Sequence, residues 1–133
     1  MANPFVHIEI HSRDLATTSK FYGGLFGWKL EHDPKMNYTM FETGKQPGGG
    51  MFQHDGLPPG VTVYVGVKDV EEALRKAASL GARVLQQKME IPGIGWWGAF
   101  EAPDGTSLAV FESVPRPRRR PAARKPARRR TRR

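Results

Sequence analysis

His7, Glu9 and His11 alternate along the segment FVHIEIHS, so on an extended chain all three side chains leave from one face. Two imidazoles flanking a carboxylate suit ligand binding or proton transfer, because histidine titrates near neutrality and a neighbouring carboxylate shifts it. Three readings of His7 stand side by side: a residual metal ligand, a metal-free binding or acid/base group, and a hydrogen-bonded cavity histidine with no further role. Glu9, turned inward, is costly to bury unpaired and calls for a partner such as a His, a Lys or a ligand cation. In a dry pocket its pKa would rise and it would serve as a base; at a wide mouth it is an exposed carboxylate. His7 and Glu9 are thus the candidate catalytic residues. No nucleophile–base–carboxylate triad can be assembled. The glycines at 48–50 read as a turn rather than a phosphate loop, because neither a helix start nor Lys-Ser/Thr follows them.

The elements that must position these residues occur twice. FVHIEIHSRDLATTSKFYGGLFGWKL and VTVYVGVKDVEEALRKAASLGARVL each give a strand, an Asp at a helix N-cap, an amphipathic helix, a Gly stop and a second strand. The helical stripes are Leu15, Tyr22, Leu25 and Phe26, then Val70, Ala73, Leu74, Ala77 and Leu80. Gly23-Gly24 is a weak point inside the first helix, where its end could begin. Two further strands follow in each unit, with Phe41-Glu42 matching Phe100-Glu101. The expected fold class is α+β: two tandem βαβββ modules forming one curved, cup-like eight-stranded mixed sheet, with the helices on its convex side. The modules span about residues 4–56 and 60–113 of a domain at 1–114.

Alternation assigns faces. Val6, Ile8 and Ile10 lie under a helix, and Phe5, His7, Glu9 and His11 face the cavity. By matching position Thr62 and Tyr64 join them, as does Phe111 from the last strand. Only one of the adjacent pair Trp96-Trp97 can line the cavity, and Trp97 is the candidate; an aromatic platform for a flat ligand and ordinary packing are both open to it. The expected ligand-binding set is His7, Glu9, Thr62, Tyr64, Trp97 and Phe111, on a concave surface suited to a small molecule.

The formal net charge of +8 conceals two unlike parts. From Pro115 to Arg133 there are 11 Lys/Arg and no acid, which leaves 10 of the 21 Lys/Arg against all 13 Asp/Glu in residues 1–114, a net of −3. The segment 115–133 has no aromatic, Leu, Ile or Val side chain to bury and its charges repel, so disorder is expected. Arg116, Arg118, Arg119, Arg120, Arg124, Lys125, Arg128, Arg129, Arg130, Arg132 and Arg133 are candidate contacts to nucleic acid or another polyanion; a solubilising extension is the alternative. The absence of cysteine excludes disulfides and thiolate metal ligands. No signal peptide or membrane-spanning run is read, so a cytoplasmic protein is expected, nucleoid-associated if the tail binds DNA.

The segment from His7 to Leu30, with Asp14-Leu15, Ser19, Phe21-Tyr22, Leu25 and Gly27, resembles the opening of the vicinal-oxygen-chelate superfamily. That superfamily holds glyoxalase I, bleomycin-resistance proteins, fosfomycin-resistance enzymes and extradiol dioxygenases. Ala102-Pro103-Asp104-Gly105 resembles its closing D-P-x-G turn, with Ala in place of Asp. The resemblance covers residues 4–113 and implies the cup-shaped fold. It also implies a divalent metal (Zn, Ni, Mn or Fe) held from equivalent strands. His7 matches the first ligand, Thr62 and Ala109 fall on two others, and Gln53 or His54 would supply the fourth. With so few donors, the expected function is small-molecule binding in the cavity without a tightly bound catalytic metal. The alternatives are a metal-dependent lyase or dioxygenase-like enzyme, and a ligand-sensing nucleic-acid-associated protein. The resemblance further implies a homodimer.

Overall fold

A computed structural model describes residues 2–53 and 59–115. His54 and the basic residues from Arg116 onward lie outside the described residues. The element order is β1 (Phe5–Ser12), α1 (Leu15–Phe26), β2 (Lys29–Asp33), β3 (Tyr38–Glu42), β4 (Gly49–Gln53), β5 (Gly60–Gly66), α2 (Val70–Ser79), β6 (Arg83–Ile91), β7 (Gly95–Glu101) and β8 (Ser107–Ser113). The βαβββ order occurs twice, as expected.

One eight-stranded sheet runs β2-β3-β4-β1-β5-β8-β7-β6 and stays open at β2 and β6. In each module the first strand pairs in parallel with the last, β1 with β4 and β5 with β8. The modules join through the antiparallel pair β1–β5, which sets His7 opposite Tyr64 and Glu9 opposite Thr62. The sheet is therefore a near-duplicate about its centre, and the central strands carry the candidate site.

Local chemistry fixes both helices. Asp14 accepts the Thr17 amide at 3.2 Å and the Thr17 hydroxyl at 2.8 Å, bonds that hold its carboxyl below the usual range. Asp69 accepts the Glu72 amide at 3.1 Å. A second cap reaches each helix from the last strand of its module. Gln53 Oε1 accepts the Leu15 amide at 3.0 Å, and Glu112 Oε1 accepts the Val70 amide at 2.9 Å. Gly27, at φ 68°, closes α1 in the left-handed region. Among the described residues no helix is long and apolar enough to cross a membrane.

The core is split between the modules. Leu15, Phe41 and Met51 are buried under α1, with Ile8, Ile10, Tyr22, Trp28 and Leu30 against them. Val70, Leu74 and Val110 are buried under α2, with Val84, Trp96 and Phe100 packed around them. A fully buried side chain such as Val70 contributes about 2 kcal/mol by the area it removes from water.

Three expectations are corrected. Gly49 and Gly50 are buried residues of β4, not part of a turn. A Cβ on Gly49 would strike the Ile8 carbonyl and the Phe41 ring, so only glycine permits β4 to pair with β1 here. The register slips between Phe5 and His7, so Phe5 pairs with Val65 on the helix side while Val6 packs against Gly66; the cavity face of β1 begins at His7. Gly23 and Gly24 lie in the last turn of α1, as read from the sequence, and Gly23 admits Leu30 of β2 close to the helix backbone. Leu25, Phe26 and Leu80 are exposed rather than turned inward. Leu80 sits past the end of α2, where the stripe no longer meets the sheet.

Candidate functional site

β1 alternates strictly from His7 to Ser12, so Ile8 and Ile10 go to the first core and His7, Glu9 and His11 go to the concave face. β3 brings a residue that the sequence did not single out. Tyr38 places its hydroxyl 2.7 Å from His7 Nε2 and donates to Glu9 Oε2 at 3.3 Å. Tyr64, across from His7 on β5, donates to Glu9 Oε1 at 2.9 Å. His11 Nε2 lies 3.3 Å from the same oxygen. The half-buried carboxylate thus has three partners: one is a His, as expected, and the other two are phenols.

Rings close around this network. His7 stacks on Tyr38 (centroids 6.4 Å apart, 17°) and meets Tyr64 edge-on (5.5 Å, 80°). Tyr38 also stacks on Phe52, His11 meets Phe52 edge-on, and Tyr64 leans on Trp97. An aromatic band therefore crosses the concave face from β3 to β7, with one carboxylate at its centre.

Electrostatics follow from burial. Desolvation lowers the His7 pKa from its ordinary 6.5, against a smaller opposing pull from Glu9. The Tyr38 and Tyr64 hydroxyls are pushed far above 10, first by desolvation and then by the Glu9 charge. At neutral pH His7 is therefore a neutral imidazole and Tyr38 and Tyr64 are neutral phenols. Since a carboxylate only accepts and Tyr38 donates to it, His7 Nε2 must be the donor to the Tyr38 oxygen, leaving the His7 lone pair on Nδ1.

The other site residues divide. Trp97 lies on the concave side, whereas Trp96 packs into the second core beneath Lys88. Thr62 pairs with Glu9, but its hydroxyl is outside the network. Phe111 pairs with Gly66 and Trp97 at the far end, its ring close to Gly95. Gln53 does not join His7: it pairs with Ser12 on the helix side and caps α1. Tyr38 was legible by analogy. In the pairing of β3 with β4 it holds the place that Trp97 holds in β7 with β8, three residues before the matched Phe41 and Phe100.

The same duplication locates the chelating positions. Ala109 pairs with Tyr64 as Gly50 pairs with Glu9, so Gly50 of β4 is the match of Ala109 of β8. A Cβ on Gly50 would run into the Tyr38 ring, which occupies that space. His7, Thr62, Gly50 and Ala109 therefore offer one imidazole and one hydroxyl. Among the described residues no three His, Cys, Asp or Glu side chains are gathered to grip an ion. This donor set does not fit the divalent metal that the fold implies.

Comparison with known proteins agrees with the architecture. Residues 4–44 match the family described as Bleomycin resistance protein-like N-terminal. The chain is 31% identical over 123 residues to the anthracycline biosynthesis protein DauV of Streptomyces sp. (strain C5), an alignment covering 77% of this chain and 44% of that protein. It thus spans under half the length of this curated relative. The hypothetical protein BH1468 from Bacillus halodurans C-125 superposes with a TM-score of 0.68 at 17% identity, over 87% of this chain and 98% of the other. A glyoxalase/bleomycin resistance protein/dioxygenase superfamily member from Vibrio splendidus 12B01 superposes at 0.61 and 16% identity, over 84% of this chain and all (100%) of the other. Two βαβββ modules in one open sheet, a bleomycin-resistance-type opening and these relatives together make the chain a glyoxalase/bleomycin-resistance-like member of the vicinal-oxygen-chelate superfamily.

Proposed function

We propose that the concave face binds a flat, oxygen-bearing aromatic molecule without a tightly held metal, by sequestration or by metal-independent proton transfer. The observation that carries this reading is the Glu9 carboxylate, held by Tyr38, Tyr64 and His11 beside a neutral His7, where the remaining chelating positions offer only the Thr62 hydroxyl. The aromatic band supplies stacking and edge contacts, each worth about 1 kcal/mol beyond area burial. The phenols and the imidazole supply hydrogen bonds to ring oxygens. The name of the Streptomyces relative, an anthracycline biosynthesis protein, favours polycyclic aromatics as the ligand class.

The test is calorimetric titration of the full chain with 1,4-dihydroxyanthraquinone, an oxygenated polycyclic core. Binding is expected at one per chain, unchanged by EDTA and weakened about tenfold by Trp97→Ala or Tyr38→Phe. Binding that requires added metal would favour the lyase or dioxygenase-like alternative. No binding by the quinone or by smaller phenols would remove the ligand class.

A further inference from the structure

The two modules differ most on the convex side. α2 sinks onto its strands, with Val70 fully buried and Leu74 at 2% exposure, the latter against Gly98. In α1 the place of Leu74 is taken by Ser19, the place of Ala77 by Tyr22, and before β2 the place of Ala82 by Trp28. A small polar residue thus replaces the plug, and two large rings replace methyl groups. The rings pile up: Trp28 stacks on Phe41 at 4.7 Å, on Phe26 at 5.1 Å and on Tyr22 at 5.6 Å. This pile forms one wall of a groove of about 420 Å³ between α1 and the sheet. Ile8, Ile10 and Val61 form its floor and far side, and Val61 is 63% exposed. A space of this size is within the range of small-molecule sites.

Two features specify a guest. Trp28 has three rings stacked on it, so the wall presents ring edges and methyl groups rather than an open face for a flat aromatic. Lys45 lines the groove and has no ion-pair partner among the described residues. An aliphatic chain satisfies the first feature and a carboxylate the second. We propose that the groove is a second binding site, separate from the concave face, for a free aliphatic carboxylate of medium or long chain. Its chain lies along Ile8, Ile10, Val61 and the Trp28–Phe41 wall, and its head pairs with Lys45. The sheet itself separates this guest from Glu9 and His7.

The experiment is calorimetry of the full chain with dodecanoate, with dodecyltrimethylammonium as the control of opposite head charge. Dodecanoate is expected to bind one per chain and the cation at least tenfold more weakly. Lys45→Glu should weaken dodecanoate at least tenfold, and Val61→Trp, at an exposed rim position, should abolish binding with the melting temperature retained. The indole resonance of Trp28, assigned with Trp28→Phe, should shift on binding, and Glu9→Gln should leave the affinity unchanged. Equal binding of both head groups, wild-type binding by Val61→Trp, or loss in Glu9→Gln would overturn the proposal. So would sedimentation showing a dimer that Val61→Trp dissociates, because the groove would then be an interface between copies.

Discussion

Tyr38 has one hydroxyl proton and two neighbours able to accept it. Donation to Glu9 at 3.3 Å obliges His7 to donate in turn at 2.7 Å, so imidazole, phenol and carboxylate form one directed chain. Removing the middle group breaks both links and leaves a half-buried carboxylate with fewer donors. Tyr38→Phe should therefore cost about 1–3 kcal/mol in urea unfolding. His7 gives the chain a pH signature. Burial lowers its pKa below 6.5, so in acid the unfolded chain takes up this proton before the folded one does. The contribution to stability is complete above pH 6.5 and is lost as pH falls from there through the lowered value. The melting temperature of wild type relative to His7→Gln should drop across that window; a constant difference from pH 7 to 5 would contradict the assignment. The raised phenols act at the other extreme, their contribution lost as pH climbs above 10. Of this site the sequence showed the β1 face, Tyr64 and Trp97. Tyr38 was legible only by extending the match of Phe41 with Phe100 three residues back, to Tyr38 and Trp97. The sequence concealed the turn of Phe5 away from the cavity because a one-residue bulge leaves no mark in the alternation.

Among the elements, β4 shows how backbone proximity sets side-chain choice. Gly49 gives β1 room at the Ile8 carbonyl, and Gly50 gives Tyr38 room to lie over the strand. Gly49→Ala should destabilise by about 3 kcal/mol, since a backbone carbonyl yields less than a side-chain tip. Gly50→Ala should instead displace the Tyr38 ring, and His7 should then titrate nearer its ordinary value by NMR. Gly24, in the helix interior with nothing within 4 Å of a Cβ, is the control: Gly24→Ala should stabilise by about 0.5–1 kcal/mol. Both helices were legible from their Asp caps and apolar spacing, and both caps are present in the structure. The glycine run was not, because three glycines read locally as a turn, and only pairing with β1 and the Tyr38 ring explains Gly49 and Gly50 as strand. The exposure of Leu25 and Phe26 was hidden for a related reason: a periodic stripe fixes a helix face but not how far the sheet extends beneath it.

At the scale of the whole molecule, duplication made the fold readable and divergence between the copies made the site. Matching strands put four equivalent positions, His7, Gly50, Thr62 and Ala109, around the cavity, and His7 is the single imidazole among them. The charge asymmetry belongs to this scale too. With 11 cations in residues 115–133 against a net of −3 in the rest, the full chain should bind duplex DNA without sequence preference. Its affinity should fall steeply between 50 and 200 mM salt, as generally expected for binding through many phosphate contacts. Replacing Arg118, Arg119, Arg120, Arg128, Arg129 and Arg130 with Ser should remove most of the gel shift at about 100 mM salt; an undiminished shift would place the contacts elsewhere. The most direct test of the central claim, a cavity organised by a hydrogen-bonded carboxylate in place of a chelated ion, is metal titration of tag-free protein with Zn, Ni, Mn and Fe(II). The account predicts no one-to-one binding tighter than about 10 μM and no His7-dependent rise in melting temperature. A stoichiometric sub-micromolar site lost in His7→Ala would contradict it.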